Sequence, residues 1–281
     1  MFIETVNYTD SHAPQQFVRS LHQTGFGVLT NHPIQQSTVD SLSRQWKKFF
    51  LSDDKYRFQY TPDKFDGFFP VQDAEAAKGR DIRDLKEYFQ FYPWGQCPDW
   101  LREETLEYFK FARQFAAKLL RWIADYSPPS VASGYTQPLP DMLNGSAQSM
   151  LRVLHYPPLR GDEAPAAIRA AAHEDINLLT LLPVSHEPGL QVQKLDGEWL
   201  DVPCEFGHLI VNTGDMLQEA SRGYFPSTSH RVINPAQATH NRSRISMPLF
   251  LHPHPQVVLS KRYTANSYLT ERMQELQRAV D

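Results

Sequence analysis

From about residue 150 onward, short β-type runs follow one another along the chain and are separated by Pro, Gly and Asp. Many short strands at close spacing are typical of sandwiches and barrels of antiparallel strands. The second half of the chain is therefore predicted to form such a core. The predicted strands are Leu151–Tyr156, Ala171–Asp175, Asn177–Pro183, Gly189–Lys194, Trp199–Val202, Leu209–Asn212, Ser227–Ile233 and Arg244–Leu251.

The first half shows apolar residues at helical spacing. Start and stop signals support the first helix: Ser11 and Pro14 mark its beginning, and Gly25 marks its end. Residues 59–100 lack a clean period, and connections of that length are often functional loops. Helices are predicted between Ser11 and Gly25, around Val39–Phe49, from Glu103 to about Tyr126 and from Tyr268 to about Ala279, with a short strand at Phe26–Thr30.

Composition argues against several classes of protein. The 281 residues, 41% of them hydrophobic, are enough for one large domain or two small ones. A formal net charge of −4 without a basic stripe gives no support for nucleic-acid binding. Two cysteines far apart in sequence favour a reducing compartment. There is no signal-peptide pattern, and apolar runs such as Leu178–Leu182 are too short to cross a membrane. We expect a cytoplasmic protein without nucleic-acid or membrane partners, and the sequence does not indicate an oligomeric state.

The stretch His173-Glu174-Asp175 lies at the end of a predicted strand. Residues two apart in a strand point to the same side, so His173 and Asp175 can address one metal ion while Glu174 points away. His230, inside a later predicted strand, is the best third ligand. Two histidines and one carboxylate on one side of an octahedron leave three positions open, which suits iron(II) binding a cosubstrate together with O₂.

A His-x-Asp pattern alone is not specific, and the chain has 11 histidines. What distinguishes the three candidate ligands is the sequence around them. We interpret several other histidines as ordinary surface or loop residues, namely His186, His208, His240, His252 and His254.

The surrounding motifs occur in a fixed order. They are Arg152-x-x-x-Tyr156-Pro-Pro158, His173-Glu-Asp175, Leu179-Thr-Leu-Leu182, Gly189-Leu-Gln-Val192, Trp199-x-x-Val202, Val211-Asn-Thr-Gly-Asp215, Ser229-His-Arg-Val232, Arg244-Ile-Ser246 and Pro248-Leu-Phe250. As a set these motifs are highly specific, and this half of the chain resembles the isopenicillin N synthase-like family of iron(II)/2-oxoglutarate oxygenases. The first half is similar to the family's N-terminal region at Thr24-Gly-Phe-Gly-Val28 and Asn31-His-Pro-Ile34.

The resemblance implies a mixed α and β fold. Its core would be a double-stranded β-helix, which is a jelly roll of the cupin type, flanked by N-terminal helices and a C-terminal helix. Residues 1–100 would form the N-terminal helical and strand region, and residues 101–281 the catalytic core with its long supporting helix and C-terminal helix. Both regions would belong to one compact unit.

The resemblance also implies roles for individual residues. His173, Asp175 and His230 would ligate iron(II) and act in catalysis, and the far carboxylate of 2-oxoglutarate would be bound by Arg244, Ser246 and Tyr156. The second assignment agrees with the chemistry of these side chains, since arginine offers a planar fork to a carboxylate. Ser246, two residues after Arg244 on the same strand face, would add a hydroxyl donor.

The sequence departs from the family's pattern at three places. Leu154 occupies the position where members often carry Asn, so one contact to the cosubstrate is absent. The interval from His230 to Arg244 is longer than usual, which predicts an inserted turn around Pro235–Asn241. Pro248 falls inside the last predicted strand, where it cannot donate a ladder hydrogen bond, so the strand is expected to bulge or end there.

The expected reaction is hydroxylation, desaturation or cyclisation of a small organic substrate with O₂, with release of succinate and CO₂. Three alternatives stay open: an O₂-dependent iron oxidase of the same fold that does not use 2-oxoglutarate, a zinc hydrolase with the same ligands, and a non-catalytic binding module. Residues 59–100 and the C-terminal helix are the expected lid and substrate walls. Within them Arg80, Arg83 and Lys86 either meet an acidic substrate or form a solvated face, and we favour the solvated face.

Overall fold

The computed structural model describes residues 2–74, 82–184, 188–194, 196–235 and 241–278. The strands of the first half are β1 (Thr5–Asn7), β2 (Phe26–Thr30), β3 (Gly67–Phe69) and β4 (Glu87–Phe91). Those of the second half are β5 (Met150–Tyr156), β6 (Ala170–His173), β7 (Leu179–Pro183), β8 (Leu190–Gln193), β9 (Trp199–Asp201), β10 (Leu209–Thr213), β11 (His230–Val232), β12 (Arg244–Ser246) and β13 (Leu249–Leu251). The helices are α1 (Ala13–Thr24), α2 (Gln36–Phe50), α3 (Asp99–Asp125), α4 (Pro129–Ala132), α5 (Asp215–Ala220) and α6 (Ala265–Arg278).

The strands form two sheets. The large sheet has the order β1-β2-β10-β7-β13-β5-β4-β3, with β12 also paired to β5, and the small sheet has the order β6-β11-β8-β9. Among the described strands, every pairing is antiparallel except that of β1 with β2. This arrangement confirms the predicted jelly-roll core.

The two faces of the large sheet are covered differently, as alternation along its strands requires. On β10, Leu209 and Val211 pack in the core formed with α1, α2 and α3. Ile210, between them, joins Val192 of β8 and Val232 of β11 in a second apolar cluster. The small sheet therefore lies against the inner face of the large sheet, and the helices cover the outer face.

The predicted helices and the strand Phe26–Thr30 are all confirmed, with ends shifted by a few residues. Gly25 ends α1 in the left-handed conformation, with φ of 72°. A Cβ there would lie 2.4 Å from Thr228 Oγ1. Only glycine therefore lets this turn approach the segment that leads into His230.

Three strand predictions need correction. β6 ends at His173, so Asp175 lies just beyond the strand. The predicted strand Arg244–Leu251 is two strands, β12 and β13, and the break falls at Met247–Pro248, as the missing N–H of proline led us to expect. Residues 59–100 are not only loop, because β3 and β4 extend the large sheet. Among the described helices, none has both the length and the apolar composition of a membrane-spanning segment.

Candidate metal centre and cosubstrate pocket

The two candidate histidines face each other across adjacent strands of the small sheet. His173 is the last residue of β6, His230 is the first of β11, and the two are register partners. Their ring centroids lie 4.4 Å apart. The Nδ1 atom of His173 lies 2.8 Å from the Ala171 carbonyl oxygen, and that of His230 lies 3.1 Å from the Thr228 carbonyl oxygen. Because a carbonyl only accepts, each Nδ1 carries the proton and each Nε2 presents a lone pair.

Asp175 completes the group. Its Oδ1 lies 3.8 Å from Nε2 of His173 and 3.7 Å from Nε2 of His230. One ligand atom from each of the three side chains lies within 4.8 Å of the others. In the part of the chain that the structure describes, no other set of three His, Cys or acidic side chains converges in this way.

Hydrogen bonds orient the Asp175 carboxylate. Its Oδ2 accepts from Thr180 Oγ1 at 2.6 Å and from Asn212 Nδ2 at 2.8 Å. Asn177 donates in turn to the Thr180 hydroxyl oxygen at 2.8 Å. Oδ1 is thereby directed towards the two imidazoles. Thr180 and Asn212 are register partners on β7 and β10, which explains how residues distant in sequence reach one carboxylate.

The charges favour the ligating forms of the side chains. Burial alone would raise the pKa of Asp175, but the two histidines and the two hydrogen bonds together lower it below its ordinary value. Burial, with a smaller contribution from His173, lowers the pKa of His230. A carboxylate and a neutral imidazole are the forms that bind a metal. The His173 side chain is 44% exposed and that of Asp175 only 5%, so the centre opens on the side of His173.

A buried ion pair supports β6 from outside the small sheet. Asp84 Oδ2 lies 2.8 Å from Lys86 Nζ, and both side chains are buried. The other oxygen of Asp84 accepts the Ala171 N–H at 2.8 Å. The Ala171 carbonyl is the group that fixes Nδ1 of His173. Because β6 is an edge strand, no further strand of the small sheet lies on this side of it. The Asp84 carboxylate supplies the acceptor that such a strand would otherwise offer to the Ala171 N–H.

The second predicted site lies on the inner face of the large sheet. Arg244 of β12 and Tyr156 of β5 are register partners, and the guanidinium carbon lies 5.6 Å from the centre of the Tyr156 ring. Arg244 Nη1 donates to the Pro188 carbonyl at 2.9 Å, whereas its buried Nε has no partner among the described residues. Burial raises the pKa of Tyr156, so the phenol keeps its proton and can donate. A cavity between the sheets has both Arg244 and Ser246 in its wall, together with Leu182, Leu190, Cys204 and Ile210.

These residues fit the groups expected there. Two imidazole nitrogens and one carboxylate oxygen on one side of an ion suit iron(II) with open positions. The buried Arg244 guanidinium suits the far carboxylate of a dicarboxylic acid, because its Nε is a buried donor that needs an acceptor. The side chains of Leu182, Leu190 and Ile210 beside it suit a methylene chain.

Other predicted residues have different outcomes. Lys86 is buried beside Asp84, so the favoured solvated face is wrong for it. Arg83 donates to the Ala74 carbonyl, and Arg80 lies outside the described residues. His252 lies half-buried in the loop after β13, where burial lowers its pKa to about 4 and the charge of Asp175 also acts on it. The predicted inserted turn falls largely on residues 236–240, outside the described residues, as do His186 and His240.

Sequence reasoning missed the roles of Thr180, Asn212 and Asp84. The first two lie in the motifs Leu179-Thr-Leu-Leu182 and Val211-Asn-Thr-Gly-Asp215, which signal their positions without showing what they contact. Asp84 stands next to charged residues and reads as part of a solvated segment. Leu154, which replaces the expected Asn, packs with Phe69, Tyr88 and Tyr156 in a small apolar cluster.

Comparison with known proteins agrees with this geometry. The family model of the 2OG-Fe(II) oxygenase superfamily matches residues 147–253, and a model described as non-haem dioxygenase in morphine synthesis N-terminal matches residues 6–110. A rice (Oryza sativa subsp. japonica) protein, 2-oxoglutarate-dependent dioxygenase 11, is 29% identical over 84% of this chain. The chain spans 65% of the length of that relative.

Solved structures give a closer match. A protein from Shewanella oneidensis that is assigned to the oxygenases is 53% identical, with a TM-score of 0.90 over 99% of both chains. A full-length protein from Neurospora crassa, solved in complex with 2-oxoglutarate, has the same fold, with 22% identity and a TM-score of 0.80 over 97% of this chain and 96% of that one. Two family models, a close structural relative and the converging His-Asp-His group agree, and the chain belongs to the 2OG-Fe(II) oxygenase superfamily.

Proposed function

We propose that this chain uses iron(II), 2-oxoglutarate and O₂ to oxidise a small organic molecule, with release of succinate and CO₂. The observation that carries the proposal is the convergence of His173, Asp175 and His230, with Nε2, Oδ1 and Nε2 as the ligand atoms. The curated relatives include 2-oxoglutarate-dependent dioxygenases, which favours this reaction over the alternatives without that cosubstrate.

In this proposal the chain holds iron(II) through the three side chains and holds 2-oxoglutarate through Arg244, Ser246 and Tyr156. Arg244 and Ser246 lie on one strand face, and Tyr156 is the register partner of Arg244. The guanidinium, the hydroxyl and the phenol are all donors, as a carboxylate requires. Leu154 lies opposite Ser246 and contributes apolar surface to this region in place of an amide.

When bound, iron(II) and 2-oxoglutarate supply the activation of O₂ and the oxidising power for hydroxylation, desaturation or ring closure. The chain's own contribution is orientation. Thr180 and Asn212 hold the Asp175 carboxylate, and the backbone carbonyls of Ala171 and Thr228 hold the two imidazoles. No residue has to take a proton from a C–H bond, since a hydrogen atom is what is removed. The apolar side chains of Leu182, Leu190 and Ile210 in the cavity wall would limit water near the cosubstrate.

The substrate is proposed to be a small molecule, and a cytoplasmic location is proposed from the low cysteine content. The decisive experiment is a substrate screen scored by succinate formation, with iron-loaded protein and added 2-oxoglutarate under air. The expected result is succinate in amounts equal to oxidised product.

Each alternative predicts a different result, either in this screen or in a matched anaerobic experiment. Product without consumption of 2-oxoglutarate would support the iron oxidase, and turnover with zinc in the absence of O₂ would support the hydrolase. Failure to bind iron(II) and 2-oxoglutarate under anaerobic conditions would support a binding module without catalysis. Any of the three results would replace the proposed reaction.

A further inference from the structure

A column of aromatic rings on the inner face of the large sheet ends at an arginine. Tyr60 stacks on Phe69 with centroids 4.0 Å apart and planes 7° apart, and Phe69 stacks on Tyr88 at 4.6 Å and 10°. The guanidinium carbon of Arg152 lies 4.8 Å from the centre of the Tyr88 ring. On its other side it lies 5.5 Å from the centre of the Phe250 ring. Arg152 is therefore flanked by two aromatic side chains, an arrangement in which cation–π attraction holds a guanidinium in place.

A hydrogen bond also fixes this guanidinium. Arg152 Nη2 donates to Gln90 Oε1 at 3.0 Å, and Gln90 Nε2 donates to the Phe65 carbonyl at 2.6 Å. Gln90 and Arg152 are register partners on β4 and β5. The pairing of β4 with β5 therefore fixes the position of the Arg152 guanidinium, which a flexible arginine side chain alone would not do.

The register of the sheet connects Arg152 with the metal centre. Thr180, which holds the Asp175 carboxylate, is the register partner of Phe250 on β13. Phe250 is in turn the partner of Met150 on β5, and Arg152 is two residues further on the same face. From Thr180 to Arg152 the path crosses two strand spacings, roughly 10 Å, and then advances two residues along β5, roughly 7 Å. The two residues are therefore roughly 12 Å apart across the sheet, a distance that spans one ring and its substituent.

The charges of both Asp175 and Arg152 act on His252, two residues after Phe250. Burial lowers the pKa of His252 to about 4, and the charges of Asp175 and Arg152 act on it in opposite directions. Both charges are therefore within electrostatic reach of one imidazole. Arg152 and Phe250 each keep part of their surface accessible, whereas Phe69, Tyr88 and Tyr156 around them are buried.

We propose that Arg152 and Phe250 form the subsite for the primary substrate, which is a small, flat, unsaturated ring bearing an oxygen acceptor. The proposal rests on the function proposed above and names its substrate class. The ring would lie against Phe250, because aromatic faces favour offset stacking with another flat ring. The acceptor, either a carboxylate or a carbonyl conjugated to the ring, would take hydrogen bonds from the fork of Arg152. This position directs the opposite edge of the ring towards His173, Asp175 and His230.

The test uses ligand-observed NMR on the full chain loaded with zinc, as a redox-inactive substitute for iron, and with 2-oxoglutarate. Four probes separate the features of the class: benzoate, the neutral ring amide 2-pyridone, cyclohexanecarboxylate and toluene. Benzoate and 2-pyridone are expected to bind, and their relative affinities show which acceptor is preferred. Stronger binding of cyclohexanecarboxylate or toluene than of both flat acceptors would overturn the proposal.

Variants locate the bound probe. Arg152→Met is expected to weaken binding on the order of 10- to 100-fold, and Arg152→Lys to a smaller extent. Arg121→Met, on an exposed position of α3, removes the same charge and should change nothing. Phe250→Leu keeps an apolar side chain and should reduce the preference for benzoate over cyclohexanecarboxylate. Unchanged probe binding in both Arg152→Lys and Phe250→Leu would refute the subsite even if Arg152→Met does not fold.

The resonances of 2-oxoglutarate in the same samples separate the two proposals. If the wild-type chain fails to bind 2-oxoglutarate, the proposed function is wrong. Probe binding to the metal-free wild-type chain and to its variants still decides the subsite in that case. If 2-oxoglutarate binds and the flat acceptors do not, the subsite is wrong and the proposed function stands.

Discussion

In the metal centre the second polar atom of every ligand takes part in a hydrogen bond with the protein, whereas in the proposed cosubstrate pocket one nitrogen of the buried Arg244 guanidinium has no described partner. The centre is also fixed by backbone carbonyls and by side chains of β7 and β10. The pocket depends on one strand face and one tyrosine from its neighbour.

This difference separates two kinds of site. The chain alone sets the geometry of the metal centre, because each donor atom is oriented before an ion arrives. In the pocket, no acidic side chain of the described residues forms an ion pair with Arg244, so affinity there is expected to depend on the charge of the bound anion more than on prior orientation. Changes in the centre should therefore alter metal binding first, and changes in the pocket should alter the apparent affinity for 2-oxoglutarate first.

The largest effect is expected from removing a ligand. His173→Ala leaves two of three donors, so iron(II) should not be retained and succinate formation should fall to background. His12→Ala, an exposed histidine before α1, is the matched control and should keep full activity. Metal content after desalting and succinate yield are the two measurements. Full activity of His173→Ala with iron bound would remove this residue from the centre.

Arg244→Met should affect only the pocket. Loss of a buried charged donor costs about 2–4 kcal/mol, equivalent to an increase in the KM for 2-oxoglutarate on the order of 100-fold. The KM of Arg244→Lys for 2-oxoglutarate should lie between those of the wild-type chain and Arg244→Met, because lysine keeps the charge but lacks the planar fork. Anaerobic iron(II) titration should give the same affinity in all three proteins. A parallel loss of iron affinity would show that the two sites are not independent in the way proposed.

Thr180→Val tests the orientation of Asp175 with almost no change in volume. It removes the 2.6 Å hydrogen bond to Oδ2, and loss of such a supporting group weakens metal binding by about 10- to 100-fold. Thr9→Val, which removes an exposed threonine hydroxyl bonded to Asn7, is the control. Calorimetric titration with a divalent metal provides the measurement. Unchanged affinity in Thr180→Val would mean that Asn212 alone suffices to hold the carboxylate.

The ligand set was predictable because it depends on local spacing and on motifs in a fixed order. The strands β3 and β4 were not, since every residue of both is buried and the alternation that marks a half-buried strand is absent. The role of Thr180 and Asn212 follows from the register between β7 and β10, which no short stretch of sequence specifies. Lys86 was misjudged for a related reason: its burial depends on the ion pair with Asp84, and Asp84 in turn bonds an amide 87 positions away.

The smallest effect is expected at Asp84, which acts on His173 through the backbone. Asp84→Ala removes the acceptor for the Ala171 N–H on an edge strand, so the carbonyl that orients the imidazole is held less firmly. Thr180 bonds the ligand Asp175 directly, whereas Asp84 acts on His173 only through the Ala171 backbone. Metal affinity should therefore fall less, by roughly 3- to 10-fold. Asp84→Asn keeps an acceptor and should retain most of the affinity, although it loses the charge that balances Lys86. Hydrogen exchange at the Ala171 amide should quicken in Asp84→Ala and less so in Asp84→Asn. If exchange quickens while metal affinity is unchanged, the ion pair stabilises the strand edge only, and the orientation of His173 depends on its pairing with His230.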